Sequence, residues 1–215
     1  MTEGTLWSWL ALFFLGAFHG INPGMGWLFA VALGMQERSR RAVWRALLPL
    51  GLGHALAVAV VILLAVLVGV MVPLSSLRIP VALILAGLGC HRLFRQCRHP
   101  RWGGMRVGMA GLTAWSFLMA SVHGAGLMVL PVFLNMSAKV QAATCHAVHA
   151  NSMSGPTEGL LATLVHAAGY LVVTALAAWV VYEKLGLGLL RKAWFNLDLV
   201  WAVALLLTGG LTLLI

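Results

Sequence analysis

From Ala46 to Val72, and again from Val107 to Ser137, the chain runs without a single Asp, Glu, Lys or Arg. Such stretches exceed the roughly 20 apolar residues that a helix needs to cross a bilayer. Only 9% of residues are charged and 61% are hydrophobic, with a mean hydropathy of +0.97. Soluble domains carry about 25% charged residues. A chain this poor in charge cannot cover a water-facing surface, so a soluble fold is excluded and an all-α integral membrane protein is predicted. No Lys/Arg-rich region precedes the first apolar segment and no small-residue cleavage site follows it. That segment is therefore expected to be retained as a helix and not removed as a signal peptide.

Six spans are predicted: Leu6–Met35, Ala46–Val72, Ile79–Leu93, Val107–Met136, Gly159–Tyr182 and Trp194–Ile215. The first and fourth are too long for one straight crossing. Asn22-Pro23-Gly24 interrupts the first, because proline removes a backbone donor and clashes with the preceding turn. Gly124, Gly126 and Pro131 mark the fourth for a bend or an unwound stretch.

The basic residues orient these spans. Arg38, Arg40, Arg41 and Arg45 lie between the first and second. Arg92, Arg95, Arg98, Arg101 and Arg106 lie between the third and fourth, and Lys184, Arg191 and Lys192 between the fifth and sixth. Only Arg78 and Lys139 fall in the other loops. The positive-inside rule then puts both termini outside, in a multi-pass protein of a bacterial inner membrane. The net charge of +9 becomes a topology signal and not a nucleic-acid patch, since no soluble basic face is present. Cys90, Cys97 and Cys145 form no disulfide framework, because Cys145 is expected on the opposite side from the other two.

Histidines recur in matching places. Phe18-His19-Gly20 reappears as Val122-His123-Gly124, and Gly53-His54-Ala55 as Val165-His166-Ala167. His19 and His123 are 104 residues apart, His54 and His166 are 112 apart, and the surplus of eight falls between spans four and five. Three spans per half make the halves cross in opposite senses. The expected architecture is thus six transmembrane helices as two inverted three-helix repeats, residues 1–101 and 102–215, in one membrane domain. Secondary transporters place midplane sites between such repeats, at broken helices. An ionisable group inside a membrane costs several kcal/mol of lost hydration and tends to face an internal path. His19, His54, His123 and His166 are therefore candidate ligands of one shared site. Proton relay and simple hydrogen-bonded links between helices are the alternatives.

His19-Gly-Ile-Asn-Pro-Gly-Met-Gly26, followed by Arg41 and by Gly53-His54-Ala55-Leu56, resembles the NicO-like nickel/cobalt efflux family of the LysE superfamily. Val122-His123-Gly124-Ala125-Gly126 resembles the matching motif of that family's second half. The resemblance implies six helices in inverted repeats and movement of a divalent metal. Three features depart from the family. Met25 stands where it has a second histidine after Pro-Gly, Trp27 replaces a frequent lysine, and the long His-rich loop is absent. Imidazole suits nickel, cobalt, copper and zinc, whereas the thioether of Met25 favours copper(I). A break at Pro23 could bring Met25 beside His19, with the amide of Asn22 orienting a ligand. A half-helix N-terminus at the same break favours anions and opposes a metal unless carbonyls also point in. The superfamily also includes amino-acid exporters and thiol-electron carriers. The latter need a cysteine in each half at the broken helices, and none stands there.

Two smaller clusters carry weaker signals. Cys145, His146 and His149 have the spacing of one helical face and could capture a metal at the outer entrance; incidental loop residues are the alternative. Cys90-His91 and Cys97-Arg-His99 could form an inner thiolate–imidazole site, although the intervening arginines oppose a cation. Glu158 follows Ser154-Gly-Pro-Thr157 and suits the positive end of a helix, with proton coupling as its other use.

The combined reading is a non-enzymatic transporter of a transition-metal ion (Ni, Co, Cu or Zn), with efflux as the direction and no permanently bound cofactor. With no ATP-binding motif, a gradient or a partner protein must drive it. Its partners are the lipid bilayer and the ion, with a homo-oligomer or an accessory protein as further options and no nucleic acid. The alternatives are a membrane subunit that delivers metal or anchors a partner without transporting, and a LysE-type exporter of a small organic solute.

Overall fold

The computed structural model describes residues 3–69, 74–94, 108–144, 154–185 and 197–214. Those residues form an all-α structure of eight α-helices: α1 (Glu3–Ile21), α2 (Trp27–Gln36), α3 (Arg40–Gly69), α4 (Arg78–Phe94), α5 (Met109–Val122), α6 (Ala125–Thr144), α7 (Ser154–Val180) and α8 (Leu197–Leu214). A π-helical turn, Val181–Leu185, extends α7. The helices α3 and α7 are each long and apolar enough to cross a membrane, and α5 with α6 adds a third such span if the bent pair is counted as one. The outer surface is apolar: Trp7 and Leu48 are 70% exposed and Leu207 is 68% exposed. In water such a surface would be a severe liability. Against acyl chains it is the expected one.

Both predicted interruptions occur. The first apolar segment stops at Ile21, makes a short 3-10 turn over Pro23–Met25 and restarts at Trp27. Asn22 caps that turn, its Oδ1 accepting from the Gly24 N–H at 2.9 Å. At Gly26 φ is +149°, a conformation that a Cβ would strain. The fourth segment breaks at His123-Gly124, where α5 and α6 meet at 62° and Gly124 has φ of +74°. Pro131 was expected to contribute to this bend; instead it lies inside α6. Arg40 to Gly69 is one helix, so α3 begins before the predicted Ala46 and carries the basic residues Arg40, Arg41 and Arg45 on its first turns.

A break inside an apolar environment strands carbonyls that need donors. Aromatic side chains supply them here. Trp27 Nε1 donates to the Ile21 carbonyl (3.0 Å), Trp115 Nε1 to that of Gly24 (3.2 Å) and the Tyr170 hydroxyl to that of Met25 (2.7 Å).

The most extensive helix pairs are α1 with α7, α4 with α8, α3 with α5, and α3 with α7. Close approach depends on small residues, as helix packing in membranes does. A Cβ on Gly16 of α1 would overlap the His166 carbonyl, and one on Gly169 of α7 would overlap the Phe13 carbonyl. At the other pair, a Cβ on Gly53 of α3 would overlap the Thr113 carbonyl of α5. At one end of α3 and α7, Arg40 Nε pairs with Glu183 Oε1 at 2.6 Å, with the arginine exposed and the glutamate half-buried.

The basic-residue pattern yields a direct check on topology. Reporter fusions at Gln36 and Lys139 are expected to read inside and outside respectively; the same reading at both sites would overturn the charge argument.

Candidate functional site: a buried histidine cluster

His19 lies in the last turn of α1, just before the Pro23 break, His54 in the first half of α3 and His166 near the middle of α7. All three are fully buried. Their ring centroids form a triangle with sides of 5.7 Å (His19–His54), 5.2 Å (His19–His166) and 5.3 Å (His54–His166). The α1–α7 contact through Gly16 and Gly169 is what permits the short His19–His166 side.

Hydrogen bonding sets the tautomers of two of these rings. His19 Nδ1 lies 2.7 Å from the Leu15 carbonyl, and His166 Nδ1 lies 3.2 Å from the Leu12 carbonyl of α1. A carbonyl oxygen only accepts, so each Nδ1 carries the proton and donates, leaving the Nε2 lone pair bare in the neutral ring. Metal-ligating histidines are held in this way, with the far nitrogen tied to a carbonyl or carboxylate. Neither Nε2 has a hydrogen-bond partner, and neither nitrogen of His54 has one. Buried polar atoms are normally paired, so four unpartnered imidazole nitrogens in one place, three lone pairs and one N–H in the neutral rings, call for a ligand.

Two imidazoles sharing a tetrahedral zinc-like ion at about 2.0–2.1 Å place their ring centroids about 5 Å apart. The triangle has that size. Its ring orientations differ from a closed site. The His54 and His166 planes are stacked, within 10° of parallel. A ligated ion lies near the plane of each ring that holds it, and stacked planes share no point. Among the described residues no three His, Cys, Asp or Glu side chains are placed to hold a metal ion in this conformation. One ring must turn for the cluster to close around an ion.

His54 also stacks on Tyr170 at 3.9 Å, with the planes 5° apart. Trp201 of α8 borders the cluster, with its ring 4.8 Å from His19 and 5.2 Å from His123. His123, the fourth predicted ligand, shares this indole with His19 and is also close enough to interact with His19 directly. Its Nδ1 lies 2.8 Å from the Met119 carbonyl, four residues back on α5, as His19 relates to Leu15 on α1. The other candidates stand as follows. Met25 is 1% exposed in the core with Leu12, Tyr170 and Trp201, and offers its carbonyl to Tyr170. The side-chain oxygen of Asn22 caps the turn at the break. Glu158 lies in the first turns of α7, which starts at Ser154. Cys90 is an exposed free thiol beside exposed His91. Cys145, His146 and His149 of the outer cluster, and Cys97 and His99 of the inner one, lie outside the described residues.

Sequence reading passed over Tyr170 and Trp201. Tyr170 follows His166 by one helical turn, a spacing that places both on one face. Gly16-x-x-x-Gly20 is the small-xxx-small pattern of close helix contact and could have marked α1 as a packing partner. Nothing local marks Trp201. Set against known protein families, curated proteins and solved structures, the chain matches none of them.

Proposed function

We propose that the protein moves a transition-metal ion across a membrane through the buried site formed by His19, His54 and His166, in the manner of the nickel/cobalt efflux family that its motifs resemble. The observation that carries this reading is the convergence of three imidazoles with bare nitrogens at ion-sharing distance. A purely structural role would leave those nitrogens paired, because unpaired buried polar atoms cost about 1–3 kcal/mol each.

The six-span inverted-repeat arrangement belongs to the same proposal. Exchanging the halves maps α1 onto α5 and α3 onto α7, so that the α1–α7 contact becomes α5–α3. The α3–α7 and α4–α8 contacts map onto themselves. The extensive pairs are the ones this exchange requires. The breaks after His19 and at His123 correspond under it, as do the two Nδ1–carbonyl bonds four residues back. The bacterial inner membrane, outward termini and export direction follow from the basic loops and the family resemblance.

Cells lacking and carrying the chain, compared for tolerance and accumulation of nickel, cobalt, copper and zinc, test the proposal. Lower accumulation of one of these ions is expected, and equal accumulation of all four overturns it. Met25 refines the ion. Met25→Leu keeps the volume and removes the sulfur, at under about 1.5 kcal/mol for such core exchanges. Unchanged ion preference is the outcome for a Met25 that only packs in the core and offers its carbonyl to Tyr170. A loss of copper preference in that variant would put the thioether in the site.

A further inference from the structure

His54 differs from its two partners. His19 and His166 are each tied by Nδ1 to a carbonyl of α1, whereas no hydrogen bond holds His54. It is held by stacking: its ring lies face to face with Tyr170 at 3.9 Å and 5° and parallel to His166 at 5.3 Å. The stacked orientation is also the one that prevents His54 and His166 from pointing at a common ion. Of the three rings, His54 can turn without breaking a hydrogen bond.

Tyr170 is fixed in turn. Its hydroxyl donates to the Met25 carbonyl at 2.7 Å, within the turn that interrupts the first span. Gly26, next in sequence, leaves room for this bond, because a Cβ there would stand 2.9 Å from the Tyr170 hydroxyl. The ring that restrains His54 is thus anchored to the broken helix, with the hydroxyls of Ser116 on α5 and Thr174 on α7 as further polar neighbours. Movement at the break would be felt by Tyr170 and so by His54.

We propose that Tyr170 is a positioning residue that latches His54 in an ion-free orientation, and that the site loads when His54 turns off the Tyr170 face. The inference rests on the functional reading given above, and it assigns distinct duties within the site. His19 and His166 are the pre-set ligands, His54 is the ligand that swings in, and the Tyr170–Met25 bond connects that swing to the Pro23 break. No covalent or redox step is involved. The neutral ring rotates and presents a nitrogen lone pair.

Zinc binding and histidine NMR on the purified full-length protein in detergent test this, with Tyr170→Leu and Tyr170→Phe. Leucine removes the ring. Phenylalanine keeps the ring and removes only the hydroxyl with its contacts to Met25, Ser116 and Thr174, so it also controls for folding. Without zinc, stacking shifts the His54 ring protons upfield. That shift is expected in the wild type and in Tyr170→Phe, and lost in Tyr170→Leu. Adding zinc is expected to abolish it in the wild type as His54 leaves the stack. Zinc binding is expected to tighten about 2- to 13-fold in Tyr170→Leu, the equivalent of losing one aromatic stack of roughly 0.5–1.5 kcal/mol. It should change little in Tyr170→Phe. Weaker zinc binding in a folded Tyr170→Leu protein, or a His54 shift that persists when zinc is bound, overturns the latch. His54 proton shifts identical in all three zinc-free proteins overturn it as well, whatever the ion data show. A wild type with the stacking shift but no affinity for zinc, cobalt, nickel or copper fails the functional reading instead, which separates the two.

Discussion

Alanine in place of any one of His19, His54 or His166 is expected to remove most ion movement while protein levels stay near normal. The three rings stand within 5.2–5.7 Å of one another and are wholly buried. Deleting one leaves two donors, too few to replace the hydration shell of a transition-metal ion. Removing even the hydrogen-bond partner of a ligand costs about 10–100-fold in metal affinity, so removing a ligand is expected to cost on the order of 100-fold or more. The losses should not multiply. Any double mutant within the trio is expected to be little worse than its parents, because groups that act as one unit couple strongly. His123 provides the contrast. It borders Trp201 and adds no ring to the triangle of His19, His54 and His166, so His123→Ala combined with His19→Ala is expected to lie closer to additivity than the doubles within the trio. Uptake or efflux of the ion in vesicles, measured for the singles and the doubles, decides this. Additive losses within the trio would dismantle the shared site.

The other large effect is expected at the α1–α7 contact. Gly169→Val forces a branched side chain against the Phe13 carbonyl, and Gly16→Val does the same against the His166 carbonyl. Backbone cannot yield as a flexible side chain can, so the helices must separate. The cost is expected at the upper end of overpacking, about 3 kcal/mol, and the His19–His166 spacing is lost with it. Gly210 is the control: a Cβ there meets nothing within 4 Å. Gly210→Ala is expected to be neutral or to stabilise by up to about 1 kcal/mol, since alanine is the better helix former. Unfolding in mixed detergent micelles reads both. Equal stability of Gly169→Val and Gly210→Ala would mean that α1 and α7 are not in close contact.

Much of the helical layout was legible in the sequence because it depends on local chemistry. Long charge-free stretches announce apolar helices, since backbone groups in lipid must be satisfied within the helix. Asn22-Pro23-Gly24 announces the first break, because the break follows from a missing donor and a glycine conformation. Pro131 shows the limit of that reasoning. Proline inside a helix costs a hydrogen bond, yet α6 accommodates it, and the bend sits instead at His123-Gly124, where φ turns positive. For the site, the repeat of His-containing motifs singled out His19, His54, His123 and His166 as a set.

The sequence alone determined which residues are available: helices apolar enough for a membrane, interruptions beside two of the histidines, and the histidines themselves. Tertiary structure decided which of them meet. Gly16 and Gly169 let α1 and α7 approach until His19 and His166 share a space, α3 adds His54, and Trp201 from α8 stands against both His19 and His123. The reason is physical. Helix formation depends on neighbours a turn apart, whereas the distance between two imidazoles on different helices depends on how closely backbones pack. That packing is set by side chains as far apart in sequence as Phe13 and Gly169, or Met25 and Tyr170.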